Sequence, residues 1–148
     1  MTQFLLDKNI PGFKVIEIDP DLEQGLLAKF PALKGKIIID DFLKVKPETY
    51  FDGPFGIIGN FPYNISSQIL IKMTGLRGQV PELCGMFQKE VAERVLAKPG
   101  SKIYGRLSVM VQAFYDGEYL FTVPKQLFKP PPNVESGVIR LTRKKDFQ

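Results

Sequence analysis

Apolar residues in this chain fall into short runs separated by proline, glycine and charged clusters, the spacing of strands alternating with helices. Thr2 to Asn9 reads as a helix, with Phe4, Leu5 and Leu6 apolar and Pro11-Gly12 closing it. Phe13 to Asp19 reads as a strand, and Pro20-Asp21 opens a helix through Leu22, Leu26, Leu27 and Phe30. Gly35 to Ile39 and Phe55 to Ile58 are two further strands; Gln68 to Gly75 is a helix behind the second. Leu83 to Gln88 is another apolar strand, followed by an amphipathic helix, Lys89 to Leu96, that Lys98-Pro99-Gly100-Ser101 breaks. Tyr104 to Tyr115 reads as a helix with Leu107, Val109, Met110 and Val111 inward. Glu118 to Val123 and Gly137 to Leu141 are the closing strands. The alternation predicts an α/β fold.

The stretch around which these elements are organised is Gly59-Asn60-Phe61-Pro62-Tyr63-Asn64-Ile65-Ser66-Ser67. Pro62 stops the strand before it, and Asn64, Ser66 and Ser67 are side chains that cap helices. Asn60 and Tyr63 therefore stand at the carboxyl end of a strand, where open α/β sheets bind ligands. An ordinary proline turn with a helix cap has this pattern. So does a grip on the 6-amino group of adenine, a poor nucleophile whose lone pair is delocalised into the ring. An amide oxygen and a backbone carbonyl can accept its two hydrogens and aim the lone pair, while an aromatic face stacks on a base taken out of its helix.

Composition narrows the chemistry. The 148 residues suit one domain, 44% hydrophobic and 24% charged as in soluble globular proteins. No apolar run reaches membrane-spanning length and no signal-peptide pattern opens the chain. Cys84 is the only cysteine, which excludes an intrachain disulfide and points to a reducing cytoplasm. The chain has no histidine, which removes Ser-His and Cys-His catalysis and argues against a transition-metal site. The net charge of +4 suits an anionic partner.

Carboxylates close two of the strands. Glu17 and Asp19 are either solvated or cap the next helix, for which Asp19 before Pro20 is well placed, or Glu17 is the acidic side chain of a nucleotide-binding sheet that accepts the hydroxyls of a ribose. Asp40 and Asp41, with Phe42 beside them, either cap a turn or accept hydrogens from an adenine amino group. The rigid Phe128-Lys129-Pro130-Pro131-Pro132 segment is either a linker or a mount that holds Phe128 opposite Tyr63. Lys89, Arg94, Lys98, Lys102, Arg106, Lys125 and Lys129 are either a solvated surface or contacts to phosphates.

Taken in order, Val15-Ile16-Glu17-Ile18-Asp19, Asp41-Phe42-Leu43, Asn60-Phe61-Pro62-Tyr63-Asn64-Ile65-Ser66, Gln88-Lys89-Glu90-Val91-Ala92-Glu93-Arg94 and Phe128 to Ser136 resemble the rRNA adenine dimethylases. Within that family they are most similar to the small-subunit rRNA dimethyladenosine transferases. The resemblance implies a class I, Rossmann-like methyltransferase sheet, mostly parallel with an antiparallel C-terminal strand. It implies S-adenosylmethionine as methyl donor, adenines of small-subunit rRNA as substrate, and the pre-ribosomal small subunit as partner. Glu17, with Ile18, would hold the cofactor ribose, and Asp41, with Phe42, its adenine. Asn60 and the Phe61 carbonyl would take the target amino group on the Pro62 turn, with Tyr63 and Phe128 stacking on the target base. The family usually has leucine where Phe61 stands and often glycine where Asp40 stands.

The resemblance also implies a first central strand and a glycine-rich cofactor loop ahead of Thr2, and a helical domain after Arg143. Their absence from these residues makes a fragment with a gapped sheet, binding S-adenosylmethionine weakly or not at all, the expectation. A non-catalytic RNA- or ribosome-binding module is the competing expectation. A DNA adenine methylase is a third, against which Asn60-Phe61 stands because related tetrads there carry an acidic first residue or a second proline.

Overall fold

A computed structural model describes residues 1–146, which pack as two compact units, residues 1–52 and the chain from Gly53 onward. In the first unit, helix α1 (Thr2–Asp7) is followed by strand β1 (Val15–Glu17), helix α2 (Leu22–Lys29) and strand β2 (Ile37–Ile39). Asn9 and Gly12 turn through positive φ, of 48° and 69°, and this ends the helix two residues before the expected Asn9. β1 and β2 pair in parallel, with Val15 opposite Ile37 and Glu17 opposite Ile39. Leu33, Ile38, Val45 and Pro47 are the buried apolar side chains of this unit.

The second unit runs strand β3 (Ile57–Asn60), helix α3 (Ser66–Gly75), strand β4 (Glu82–Gln88), helices α4 (Lys89–Val95) and α5 (Arg106–Gln112), and strands β5 (Tyr115–Val123) and β6 (Ser136–Arg143). The sheet order is β3-β4-β6-β5. β3 and β4 are parallel, and β6 is antiparallel to both β4 and β5, so β6 alone runs against the other three. The α/β class and the single reversed C-terminal strand agree with the sequence reading. The six strands among the described residues form two separate sheets, β1-β2 and β3-β4-β6-β5.

Leu70, Met73, Val80, Leu83, Phe87, Ala92, Val95, Val111, Tyr115, Ile139 and Leu141 form the core of the second unit. β4 alternates buried and half-buried positions along its length, as a strand with two different faces should. The loop after α4 is tied by α5: Ser108 donates its hydroxyl hydrogen to the Arg94 carbonyl, and the Gln112 amide donates to the Val95 and Ala97 carbonyls at 2.8 Å each. These bonds satisfy carbonyls that a helix end leaves unpaired. The helix expected over Tyr104 to Tyr115 is shorter, because Tyr115 turns into β5 and fills the core. Val109, expected inward, is half exposed, since the 3.6-residue period places Leu107 and Val111 on the buried side instead. No helix among the described residues is long and apolar enough to cross a membrane.

Candidate functional site

Parallel pairing of β1 and β2 brings their carboxyl ends to one edge of the first unit, and with them Glu17, Asp40 and Asp41. The Asp40 N–H donates to the Glu17 carbonyl at 3.0 Å, extending the ladder one step. The Glu17 carboxylate accepts the Asp19 N–H at 3.0 Å, and Asp19 accepts the Asp21 N–H at 2.9 Å, turning the chain into α2. Asp40 accepts the Asp41 N–H at 2.7 Å, and Asp41 accepts the Leu43 N–H at 3.0 Å. Lys44 lies 4.0 Å from Asp41 but is 81% exposed and adds little. Ile18, 67% exposed, and the half-buried Phe42 give this edge apolar flanks. An ionised carboxylate has about four acceptor positions, so each keeps capacity beyond its backbone bond. Acceptors beside apolar side chains fit the hydroxyls, amino group and ring of a nucleoside.

In the second unit, Asn60 is the last residue of β3, opposite Met86, and its side chain is exposed. Phe61 turns inward. A Cβ on Gly85 would sit 2.2 Å from its ring and one on Gly59 would sit 2.8 Å away, so the two glycines form the cradle in which the ring lies. The ring also packs on Phe87, with centroids 5.2 Å apart and planes tilted by 37°. Pro62 is exposed, and Tyr63 begins a 3-10 turn, Tyr63–Ile65, that runs straight into α3. The Tyr63 hydroxyl is 2.6 Å from the Ser136 hydroxyl at the start of β6. The cap expected from Asn64, Ser66 and Ser67 is not formed. Ser66 is already helical and donates its hydroxyl hydrogen back to the Tyr63 carbonyl at 3.0 Å.

Phe128 is half-buried and follows the 3-10 turn Lys125–Leu127, its N–H donating to the Lys125 carbonyl at 3.2 Å. The proline segment beyond it, in which the Lys129–Pro130 bond is cis, leads to Ser136. A cleft of about 440 Å³ lies between this segment and the start of α4, lined by Lys89, Glu90, Glu93, Lys125, Asn133 and Glu135 among others; the tetrad and Phe128 are not in its lining. Of the cations proposed for phosphate, Lys98, Lys102, Arg106, Lys125 and Lys129 are exposed, while Arg94 pairs with Glu90 at 2.8 Å.

The sequence pattern points to the Phe61 carbonyl but not to its ring, and to no part for Ser66 or Ser136 in holding Tyr63. The signal for the first was present: Gly59 and Gly85 stand alone inside apolar strands, where glycine marks a close approach. Two groups elsewhere in the second unit are tuned by burial. The Cys84 thiol is pushed up by burial, then by Glu82, with Arg140 opposing. The Tyr115 hydroxyl is pushed up to about 12 by burial, against Arg143 and Arg77, and donates to the Val80 carbonyl at 2.7 Å.

The chain is 55% identical to the ribosomal RNA small subunit methyltransferase A of Flavobacterium johnsoniae over 99% of its own length and 56% of that protein's. It is 55% identical to the protein of the same name from Phocaeicola vulgatus, over 97% of this chain and 51% of the relative. The chain thus spans about half the length of the curated relatives it matches. Among solved structures it is similar to a dimethyladenosine transferase from Plasmodium falciparum, with a TM-score of 0.75 and 30% identity over 89% of this chain and 48% of that one. The 23S rRNA methyltransferase ErmE matches with a TM-score of 0.73 and 30% identity over 88% of this chain and 51% of that one. The family model of the ribosomal RNA adenine dimethylases matches residues 2–148, and the chain belongs to the ribosomal RNA adenine dimethylase family.

Proposed function

We propose that the two units are parts of one methyltransferase domain, and that the protein carrying them dimethylates the 6-amino groups of adenines in small-subunit rRNA in the cytoplasm, during ribosome assembly. The observation that carries this reading is the exposed Asn60 amide at the end of β3, beside a turn pinned by Phe61 on one side and Tyr63 on the other. The donor set fits the nucleoside part of S-adenosylmethionine. Glu17 would accept the ribose hydroxyls with Ile18 alongside; Asp41 would accept the adenine amino group with Phe42 against the ring. Bound there, S-adenosylmethionine supplies a methyl group already activated on a sulfonium.

The chain's own work is orientation. The Asn60 side-chain oxygen and the Phe61 carbonyl accept the two hydrogens of the target amino group and turn its lone pair toward the donor. Tyr63 and Phe128 stack on the flipped base, which recovers part of the unstacking cost. As the amino nitrogen takes the methyl carbon, the methyl carbon–sulfur bond would break to leave a neutral thioether, and the nitrogen releases a proton to solvent at this exposed edge, so no general base is required of the chain. The exposed lysines of the second half meet phosphates and position the RNA.

Removing a positioned acceptor costs about a hundredfold or more in rate. In the protein that carries this chain, Asn60→Ala is expected to lower methyl transfer to undermethylated small subunits at least that far. Because Asn60 is exposed, the melting curve should be unchanged. Transfer at the parent rate by the variant sinks the reading, and a parent protein that binds subunits but never methylates them favours a binding module.

A further inference from the structure

Tyr63 is held at both ends by serine. Its hydroxyl lies 2.6 Å from the Ser136 hydroxyl, and its carbonyl accepts the Ser66 hydroxyl at 3.0 Å. Both serines are buried, at 0% and 1% exposure, while the tyrosine between them is only half-buried. Ser136 is itself immobilised. As the first residue of β6 it lies opposite Gln88 on one side and Val123 on the other, in a strand flanked by neighbours on both sides. Its placement follows from strand direction: β6 runs against β3 and β4, so its first residue lies at the edge where β3 ends in Asn60. Gly137 next to it admits the Tyr119 ring and Ala92, whose atoms a Cβ there would meet at 2.8–3.0 Å, so the strand has no room to shift.

A tyrosine fixed only through its backbone still swings about its Cα–Cβ bond, and that freedom is lost on binding. A hydroxyl anchor at the far end of the ring fixes where the ring stands before any ligand arrives; the hydroxyl oxygen lies on the ring's own flip axis, so the anchor stops the swing and not the flip. From this geometry we infer that Ser136 is a positioning residue: through its hydroxyl it presets the place of the Tyr63 ring, by fixing its Cα–Cβ rotamer, for stacking on an adenine. The inference rests on the proposed role of Tyr63 and adds the group that aims it.

The test uses the protein that carries this chain, with 13C-labelled tyrosines, titrated with a short single-stranded oligoadenylate RNA. In the parent, Tyr63 ring signals should shift upfield to saturation, and its Hα–Hβ couplings should report a single Cα–Cβ rotamer. In Ser136→Ala the oligoadenylate-induced shift should fall at least threefold and those couplings should average over several rotamers, while amide signals away from the turn stay in place. Tyr63→Phe removes the same bond from the other side, so adding Ser136→Ala to it should change nothing further. A purely structural serine would lower the melting temperature in both backgrounds and leave the induced shift intact, which overturns the inference. If Ser136→Ala misfolds, Tyr63→Phe alone decides: a parent-like single rotamer and a parent-like shift overturn it. A parent chain whose Tyr63 signals never respond to oligoadenylate removes the stacking role, and the inference with it.

Discussion

In residues 1–52 the candidate site consists of carboxylates held by near neighbours in sequence: Glu17 by the Asp19 amide, Asp40 by the Asp41 amide, Asp41 by the Leu43 amide. In the second unit the candidate site is an aromatic turn held from far along the chain. Tyr63 reaches Ser136, 73 residues on, and Phe61 lies over Gly85 and Phe87 of the next strand. The first arrangement is written in a few consecutive residues and depends little on packing. The second exists only once β3, β4 and β6 have assembled. A polar edge can be built on a small sheet with few buried side chains, whereas aiming an aromatic ring needs a core behind it.

The largest expected effect attacks the packed side. Gly85→Ala would place a methyl 2.2 Å from the Phe61 ring and 3.2 Å from the Gly59 carbonyl oxygen. The ring has Phe87 behind it, so it must leave the cradle, at the ~1–3 kcal/mol typical of overpacking. Amide hydrogen exchange should show protection falling throughout β3 and β4, with the β1-β2 ladder unaffected. Because the displaced ring carries the backbone of the Asn60–Tyr63 turn, methyl transfer should fall with it. Parent-like exchange in β3 would mean that Phe61 swings out freely and that the cradle does not hold the turn.

This contrast also explains what was legible in the sequence. The strand-and-carboxylate units, Val15 to Asp19 and Ile37 to Asp41, could be read directly because their bonds are local and their residue types state their chemistry. The Asn60–Tyr63 turn was equally visible, since proline and the preceding apolar run mark its place. What holds that turn was hidden. Ser136 looks like any polar residue at a strand start, and only the reversal of β6 brings it to Tyr63. Helix ends were misjudged for the same reason. Tyr115 has the right spacing to continue α5, yet its ring is worth more in the core with its hydroxyl on the Val80 carbonyl.

Tyr115 gives the second way to probe the packed unit. Tyr115→Phe keeps the ring but leaves the buried Val80 carbonyl without this donor, an expected loss of ~1–3 kcal/mol at neutral pH. The pH dependence has a definite sign. In the unfolded chain the phenol ionises near its ordinary value of about 10, whereas in the folded protein burial holds the proton to about 12. The folded state thus binds more protons over that interval, and its stability falls as pH rises from 10 through 12. Denaturant titrations should show a steeper decline for the parent than for Tyr115→Phe, so that the gap between them narrows with pH. A gap that stays constant would mean that Tyr115 titrates alike in both states.

The smallest effect has the opposite sign and belongs to the first unit. Gly25 lies inside α2 at negative φ, and a Cβ there would meet nothing within 4 Å. No close approach requires a glycine, and none of the carboxylate bonds runs through it. Gly25→Ala is therefore expected to stabilise α2 by ~0.5–1 kcal/mol, through lower backbone entropy in the unfolded chain and better helix propensity. The check is slower amide exchange in α2, with exchange in β4 and β6 unchanged. The same chemical change at Gly85 destabilises, so the pair separates a glycine used for packing from one that merely occupies a helix. Equal signs at the two positions would remove the physical basis for treating the two units as differently built.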